Sequence, residues 1–164
     1  MDYMYAPWRK KYFSSKSSHC VFCEIIKDKS KDEQNLVLFR DTHCFGVMNL
    51  YPYSPGHFMI IPLKHKACIA DLDAKTWHQM SLHVRSGVKL LKEHFGASGV
   101  NIGMNLGNAA GAGIAEHVHY HLVPRNPKDT NFITTIAKTR VNGIDFKEIY
   151  EDIKSAIPKY LEKK

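Results

Sequence analysis

Long apolar runs are missing from this 164-residue chain. None approaches the roughly 18 consecutive apolar residues that a membrane-spanning helix needs, so no membrane association is expected. The N-terminal Met1-Asp2-Tyr3-Met4-Tyr5-Ala6-Pro7-Trp8-Arg9-Lys10 has aromatic residues where a signal peptide requires an apolar core. A cytoplasmic location is the default expectation. Cysteine is scarce: the chain has four, unevenly spaced, which excludes a secreted disulfide framework. Internal repeats and low-complexity tracts are also absent. The one glycine-rich stretch lacks the Gly-Lys-Ser/Thr ending of a Walker loop. No single-stranded-RNA motif is visible, so nucleic acid is not an obligatory partner.

What is present suits one domain with a real core, at 44% hydrophobic and 24% charged residues. The formal charge of +7 favours an anionic partner: nucleotide, polyphosphate or nucleic acid. Part of the excess lies near the ends, in Arg9-Lys10-Lys11 and Lys163-Lys164. Residues 1–19 read as an aromatic and basic arm with a serine-rich tail. After it, Glu24 to Lys29 suggests a helical turn or knuckle and Lys27 to Glu33 a charged loop. Strands are expected at Leu36–Phe39, Cys44–Asn49, His57–Pro62, Val100–Met104 and Phe132–Ile136. A long helix is expected over Asp71–Phe95, capped by Asp71 or Asp73, and an amphipathic one over Phe146–Leu161 that Pro158 ends or kinks. This order of elements favours an α+β fold with a mostly antiparallel sheet, one long central helix and a C-terminal helix. Cys44 and Cys68 stand alone in apolar stretches and are expected to be buried thiols.

Three features carry chemistry. The first is Glu116-His117-Val118-His119-Tyr120-His121-Leu122-Val123-Pro124-Arg125. Its β-forming separators predict a strand that projects all three imidazoles from one face. Three adjacent rings cannot all be cationic at neutral pH, so at least one is a neutral nucleophile, base or metal ligand. The second is the loop Asn105 to Gly113, whose three glycines allow main-chain N–H groups to approach an anion. The third is Cys20-Val21-Phe22-Cys23, which suits half a zinc site, a redox pair or neither. The thioredoxin-like context for a redox pair is missing.

His117-x-His119-x-His121 with its apolar neighbours resembles the motif of the histidine triad family of nucleotide hydrolases and transferases. The chain is most similar to the bacterial diadenosine tetraphosphate phosphorylase branch. Ala6-Pro7-Trp8-Arg9, Met48 to His57, Asn101 to Arg125 and Asp129 to Thr134 carry the likeness. It implies a single histidine-triad-like domain over 1–164, with the arm at 1–19, a catalytic core at 20–141 and a C-terminal helix at 142–164. His119 would attack the α-phosphorus of a dinucleoside polyphosphate, with His121 on the phosphate oxygens and His57 lining the site. Asn49 would bind ribose hydroxyls, and Asn105 with the Gly111-Ala112-Gly113 backbone would form the phosphate loop. Cys20, Cys23, His65 and His117 would hold a structural zinc ion. A homodimer acting on a small-molecule nucleotide is implied as well. One departure is Gly113, where several family members carry Ser or Gln, so only its main-chain N–H can serve there. The resemblance leaves two related activities open: phosphoramidase or adenylate hydrolysis.

Two rivals come from other classes. A catalytic metal could sit directly on His117, His119 and His121. The chain could also be a non-catalytic nucleotide-binding or RNA-binding zinc protein.

Overall fold

The computed structural model describes residues 19–127, 129, 130, 136 and 143–161. All but His19 of the arm expected over 1–19, most of the strand expected at Phe132–Ile136, and the terminal lysines Lys163 and Lys164 lie outside the described residues.

Short apolar runs build the centre of the sheet. Strands β1 (Val37–Arg40), β2 (Cys44–Met48), β3 (Phe58–Pro62), β4 (Gly99–Gly103) and β5 (Tyr120–Arg125) line up in the order β1-β2-β3-β5-β4. Every pairing is antiparallel, as the α+β reading expects. Strands β2 and β3 are buried along their whole length, because each face has its own cover. Met48, Phe58, Ile60 and Leu122 face one core, closed by helices α2 (Ala74–Lys89) and α3 (Phe146–Ala156). Phe45, Val47, Met59 and Ile61 face another, closed by Phe22 and Ile25 of the short helix α1 (Val21–Lys27).

Helix α2 starts where the Asp73 carboxylate accepts the Thr76 N–H at 3.0 Å. Asp71 instead belongs to a separate 3-10 turn, Ile69–Asp71. At its far end α2 widens into a π-helical turn, Leu90–His94, which seats the fully buried Leu90 and Leu91. The helix passes close over the sheet at Gly87, where an added Cβ would lie 2.6 Å from Leu122 Cδ2 and 2.7 Å from Phe58 Cζ. Helix α3 gives way to a 3-10 turn, Ile157–Lys159, at Pro158, whose missing N–H cannot continue the helical ladder. From α3 the Tyr150 hydroxyl donates to the Val37 carbonyl at 3.3 Å, covering the β1 edge of the sheet. No described helix is long and apolar enough to cross a membrane.

Three local expectations change. The strand expected to hold all three histidines starts only at Tyr120. Upstream, the Val118 N–H leaves the ladder for the Lys66 carbonyl at 2.7 Å, because β3 has ended at Pro62. The charged stretch after α1 is not a plain loop but contains a 3-10 turn, Lys29–Lys31, capped by Asp28. Cys44 is fully buried, but Cys68 is only half-buried, since it opens the surface turn that leads to α2.

Candidate active site and metal centre

The side-chain period of β5 puts Leu122 on the α2 face and His121, paired with Met59, on the α1 face. His119, just upstream of the strand, packs on Phe22 of α1. His119 is 6% exposed. Its Nδ1–H donates to the His117 carbonyl at 2.9 Å, so in the neutral ring Nε2 carries the lone pair. Burial pushes the His119 pKa below its ordinary value, against the opposing pull of that carbonyl. A neutral ring with a defined nucleophilic nitrogen results. Phe22 stands edge-on to it, with ring centroids 5.1 Å apart.

His57 precedes β3 and reaches diagonally across to β5, the cross-strand neighbour geometry of an antiparallel pair. His57 Nε2 and His121 Nδ1 are 3.0 Å apart. The turn that delivers His57 needs Gly56, whose φ of +83° is left-handed and whose absent Cβ leaves room for Phe95. Asn49 lies opposite His57, its N–H donating to the His57 carbonyl at 3.0 Å. Asn49 Oδ1 accepts the Tyr51 N–H at 2.9 Å, an Asx-type turn contact. Its Nδ2 sits 3.4 and 3.3 Å from the two ring nitrogens of His57, favouring neither.

The glycine-rich loop joins β4 to β5. Gly103, at its start, is the register partner of His121, and half-buried Asn105 follows two residues later. Gly107 and Gly111 take left-handed φ values of +80° and +84° around the 3-10 turn Asn108–Ala110. The amides of Gly111 and Ala112 donate within the loop, to Asn108 and Gly107. The Gly113 amide makes none of these turn bonds.

His117 faces away from its two neighbours. Its Nε2–H donates to the Pro62 carbonyl at 2.9 Å, which turns Nδ1 toward Cys20 Sγ at 3.4 Å and Cys23 Sγ at 3.7 Å. His65 Nδ1 is 3.1 Å from Cys23 Sγ. These four donors lie within 4.8 Å of one another. Zn–S near 2.3 Å and Zn–N near 2.0–2.1 Å imply donor separations of about 3.5 Å around a tetrahedron, so the set fits zinc. Burial also lowers the His117 pKa, which favours the neutral ring a metal requires. Burial and the Cys20 thiol push the Cys23 thiol up; a bound cation would reverse that sense. His117, His119 and His121 form no donor cluster of their own among the described residues.

Asp41, Cys44 and His83 form a second cluster. The His83 Nε2–H donates to Asp41 Oδ2 at 2.7 Å, and His83 Nδ1 is sealed without a partner. Ligation through Nε2 would force the ring proton onto that sealed nitrogen, at an unsatisfied-donor cost of about 1–3 kcal/mol. The hydrogen-bonded pair is therefore the better reading of this cluster.

Three groups escaped the sequence reading. The Tyr53 N–H donates to His57 Nδ1 at 3.1 Å. Ser54 Oγ donates to the Pro124 carbonyl at 2.7 Å, tying the turn to the end of β5. Phe22 packs on both His117 and His119. The available signals were the Pro-Tyr-Ser-Pro-Gly turn and the position of Phe22 between the paired cysteines.

A family model described as HIT domain matches residues 30–128. The AP-4-A phosphorylase of Mycobacterium tuberculosis (strain ATCC 25618 / H37Rv) is 37% identical over 136 residues, 83% of this chain and 69% of that protein. The bis(5'-adenosyl)-triphosphatase of Dictyostelium discoideum is 29% identical over 96 residues, 58% and 64% of the two chains. Among solved structures, a Zn-bound histidine triad family protein from Mycobacterium smegmatis superposes with a TM-score of 0.66 at 26% identity. That match covers 90% of this chain and 96% of the other.

Proposed function

This chain belongs to the HIT (histidine triad) family, and we propose that it is a nucleotide hydrolase or phosphorylase that cleaves dinucleoside polyphosphates through a nucleotidyl-histidine intermediate. The observation that carries this reading is the bond from His119 Nδ1–H to the His117 carbonyl. It commits the Nε2 lone pair of a buried neutral imidazole to nucleophilic attack.

In this mechanism Nε2 of His119 forms a P–N bond at the α-phosphorus while the bond from that phosphorus to the bridging oxygen breaks. The leaving nucleoside polyphosphate departs with that electron pair. Inorganic phosphate or water then attacks the same phosphorus, the P–N pair returns to Nε2, and the acceptor's proton passes to solvent. His121 and the Gly113 amide donate to phosphoryl oxygens, where negative charge builds up. His57 orients His121. Asn49 contacts the ribose, and Asn105 with the Gly111-Ala112-Gly113 backbone shapes the phosphate loop.

Cys20, Cys23, His65 and His117 would hold a zinc ion that pins α1 to the start of the histidine segment, a structural contribution. The proposal includes a single domain over 1–164, a cytoplasmic location and a homodimer. The open side of β4 supports the dimer: Ile102 is 48% and Leu106 39% exposed there, and among the described residues no strand pairs with that edge.

The test is incubation with labelled diadenosine tetraphosphate, with and without inorganic phosphate. The reading requires a base-stable, acid-labile adenylyl adduct on wild type that is absent from His119→Ala. ATP plus ADP identifies phosphate as acceptor, and ATP plus AMP identifies water. Loss of all turnover to chelator with no adduct would instead indicate metal-dependent hydrolysis.

A further inference from the structure

A histidine can donate or accept on its substrate-facing nitrogen, and sequence does not say which. At His57 one main-chain group decides. The Tyr53 amide can only donate, and it points at His57 Nδ1 from 3.1 Å, so that nitrogen bears a lone pair. The proton of neutral His57 therefore sits on Nε2. Nε2 in turn is 3.0 Å from His121 Nδ1, which must accept it. The proton of neutral His121 is thereby assigned to its own Nε2, as a donor.

The ring of Tyr53 backs the same pair. It lies 4.8 Å from the His57 ring with planes 32° apart, and 6.0 Å from the His121 ring with planes 36° apart. The aromatic ring thus packs on His57 and reaches toward His121 at the greater distance. The ring of His119 stands 4.8 Å from that of His121, at 72°. Its tautomer is the opposite one, with the proton on Nδ1.

We propose that Tyr53 is a positioning residue whose N–H and ring lock the His57–His121 pair in the Nε2–H tautomer, so that His121 presents a donor beside the His119 lone pair. His119 and His121 are thus held in opposite protonation patterns, the first directly by a main-chain carbonyl and the second by the Tyr53 amide acting through His57. The role in turnover rests on the proposed nucleotidyl-transfer reading; the tautomer assignment does not. Control of this kind is consequential, since an imidazole in the wrong tautomer can lose most of its catalytic effect.

Nitrogen-15 spectra of histidine-labelled, full-length protein at neutral pH test the assignment without substrate. The expected result is unprotonated Nδ1 and protonated Nε2 on His57 and His121, with the reverse on His119. A protonated Nδ1 on His57 overturns the proposal. Tyr53→Ala and, as a bulkier control, Tyr53→Leu keep the amide but remove the ring; without the ring's packing the amide holds His57 less firmly, and partial mixing of the His57 tautomers is expected. Both should lower kcat about tenfold with little change in KM, and Tyr53→Phe should restore both readouts. Wild-type spectra and kcat in Tyr53→Ala and Tyr53→Leu would also overturn it. If the wild type turns over no nucleotide yet shows the expected spectra, the functional reading fails and the tautomer assignment survives.

Discussion

His119 is anchored by His117 through a main-chain bond, Nδ1–H to carbonyl oxygen at 2.9 Å, while the His117 side chain turns the other way toward Cys20 and Cys23. One residue therefore meets two neighbouring groups with different atoms. Substituting the His117 side chain should disturb the metal centre first, whereas substituting His119 should strike the chemistry directly. We expect His119→Ala to lower turnover of diadenosine tetraphosphate roughly 10,000-fold without loss of bound metal. Steady-state kinetics paired with metal analysis would check this, and near-normal turnover would remove His119 from its role.

The metal centre should be stoichiometric. Protein purified without chelator is expected to carry about one zinc per chain, with Cys23→Ser or His65→Ala losing it. Because the ion would tie α1 to the histidine segment, its removal should lower the thermal midpoint and expose the α1 amides to hydrogen exchange. Zinc content near zero in the wild type, by inductively coupled plasma mass spectrometry, would refute the site.

Gly87→Ala opposes two effects of known size. An alanine gains up to about 1 kcal/mol of helix propensity over glycine. Overpacking against Phe58 and Leu122, at 2.7 and 2.6 Å, costs about 1–3 kcal/mol. The contacts should win, for a net destabilisation of about 1 to 2 kcal/mol. Urea denaturation with an unchanged slope and a lower midpoint is the expected result.

The β4 edge, which no described strand pairs with, gives a separate prediction. Ile102→Lys should place a charge on the exposed strand and convert a homodimer to monomer in sedimentation velocity. An unchanged dimer would locate the interface elsewhere.

Asp73 links pH to the start of α2. The Lys64 ammonium, and after it the Thr76 N–H, hold its carboxyl below the ordinary aspartate value of 3.8. The folded state thus binds the proton more weakly than the unfolded state. This contribution is complete above pH 3.8 and fades as pH falls through the lower folded value. The gap in thermal midpoint between wild type and Asp73→Asn should accordingly narrow as pH is lowered through the carboxylate range. A gap independent of pH would argue against the ionic cap.

Much of this molecule is legible from local pattern. The short apolar runs Cys44–Met48 and Phe58–Pro62, the Pro-Gly turn before His57 and the capping aspartate before α2 are short-range stereochemistry, so they could be read residue by residue. The spacing of the three histidines also placed His119 and His121 on one face. Where the histidine strand starts was not legible, because it depends on where its partner β3 stops.

The protonation pattern was decided only by the tertiary structure. His117 is oriented by the Pro62 carbonyl, 55 positions away, and His57 meets His121 across 64 positions. The remaining anchors, the His117 carbonyl and the Tyr53 amide, are main-chain groups common to almost every residue. Which nitrogen of each imidazole faces them depends on how the chain folds back. The sequence by itself determined that three imidazoles, a glycine-rich loop and paired cysteines would be available; the fold assigned one ring to the thiols, one to a carbonyl and one to His57.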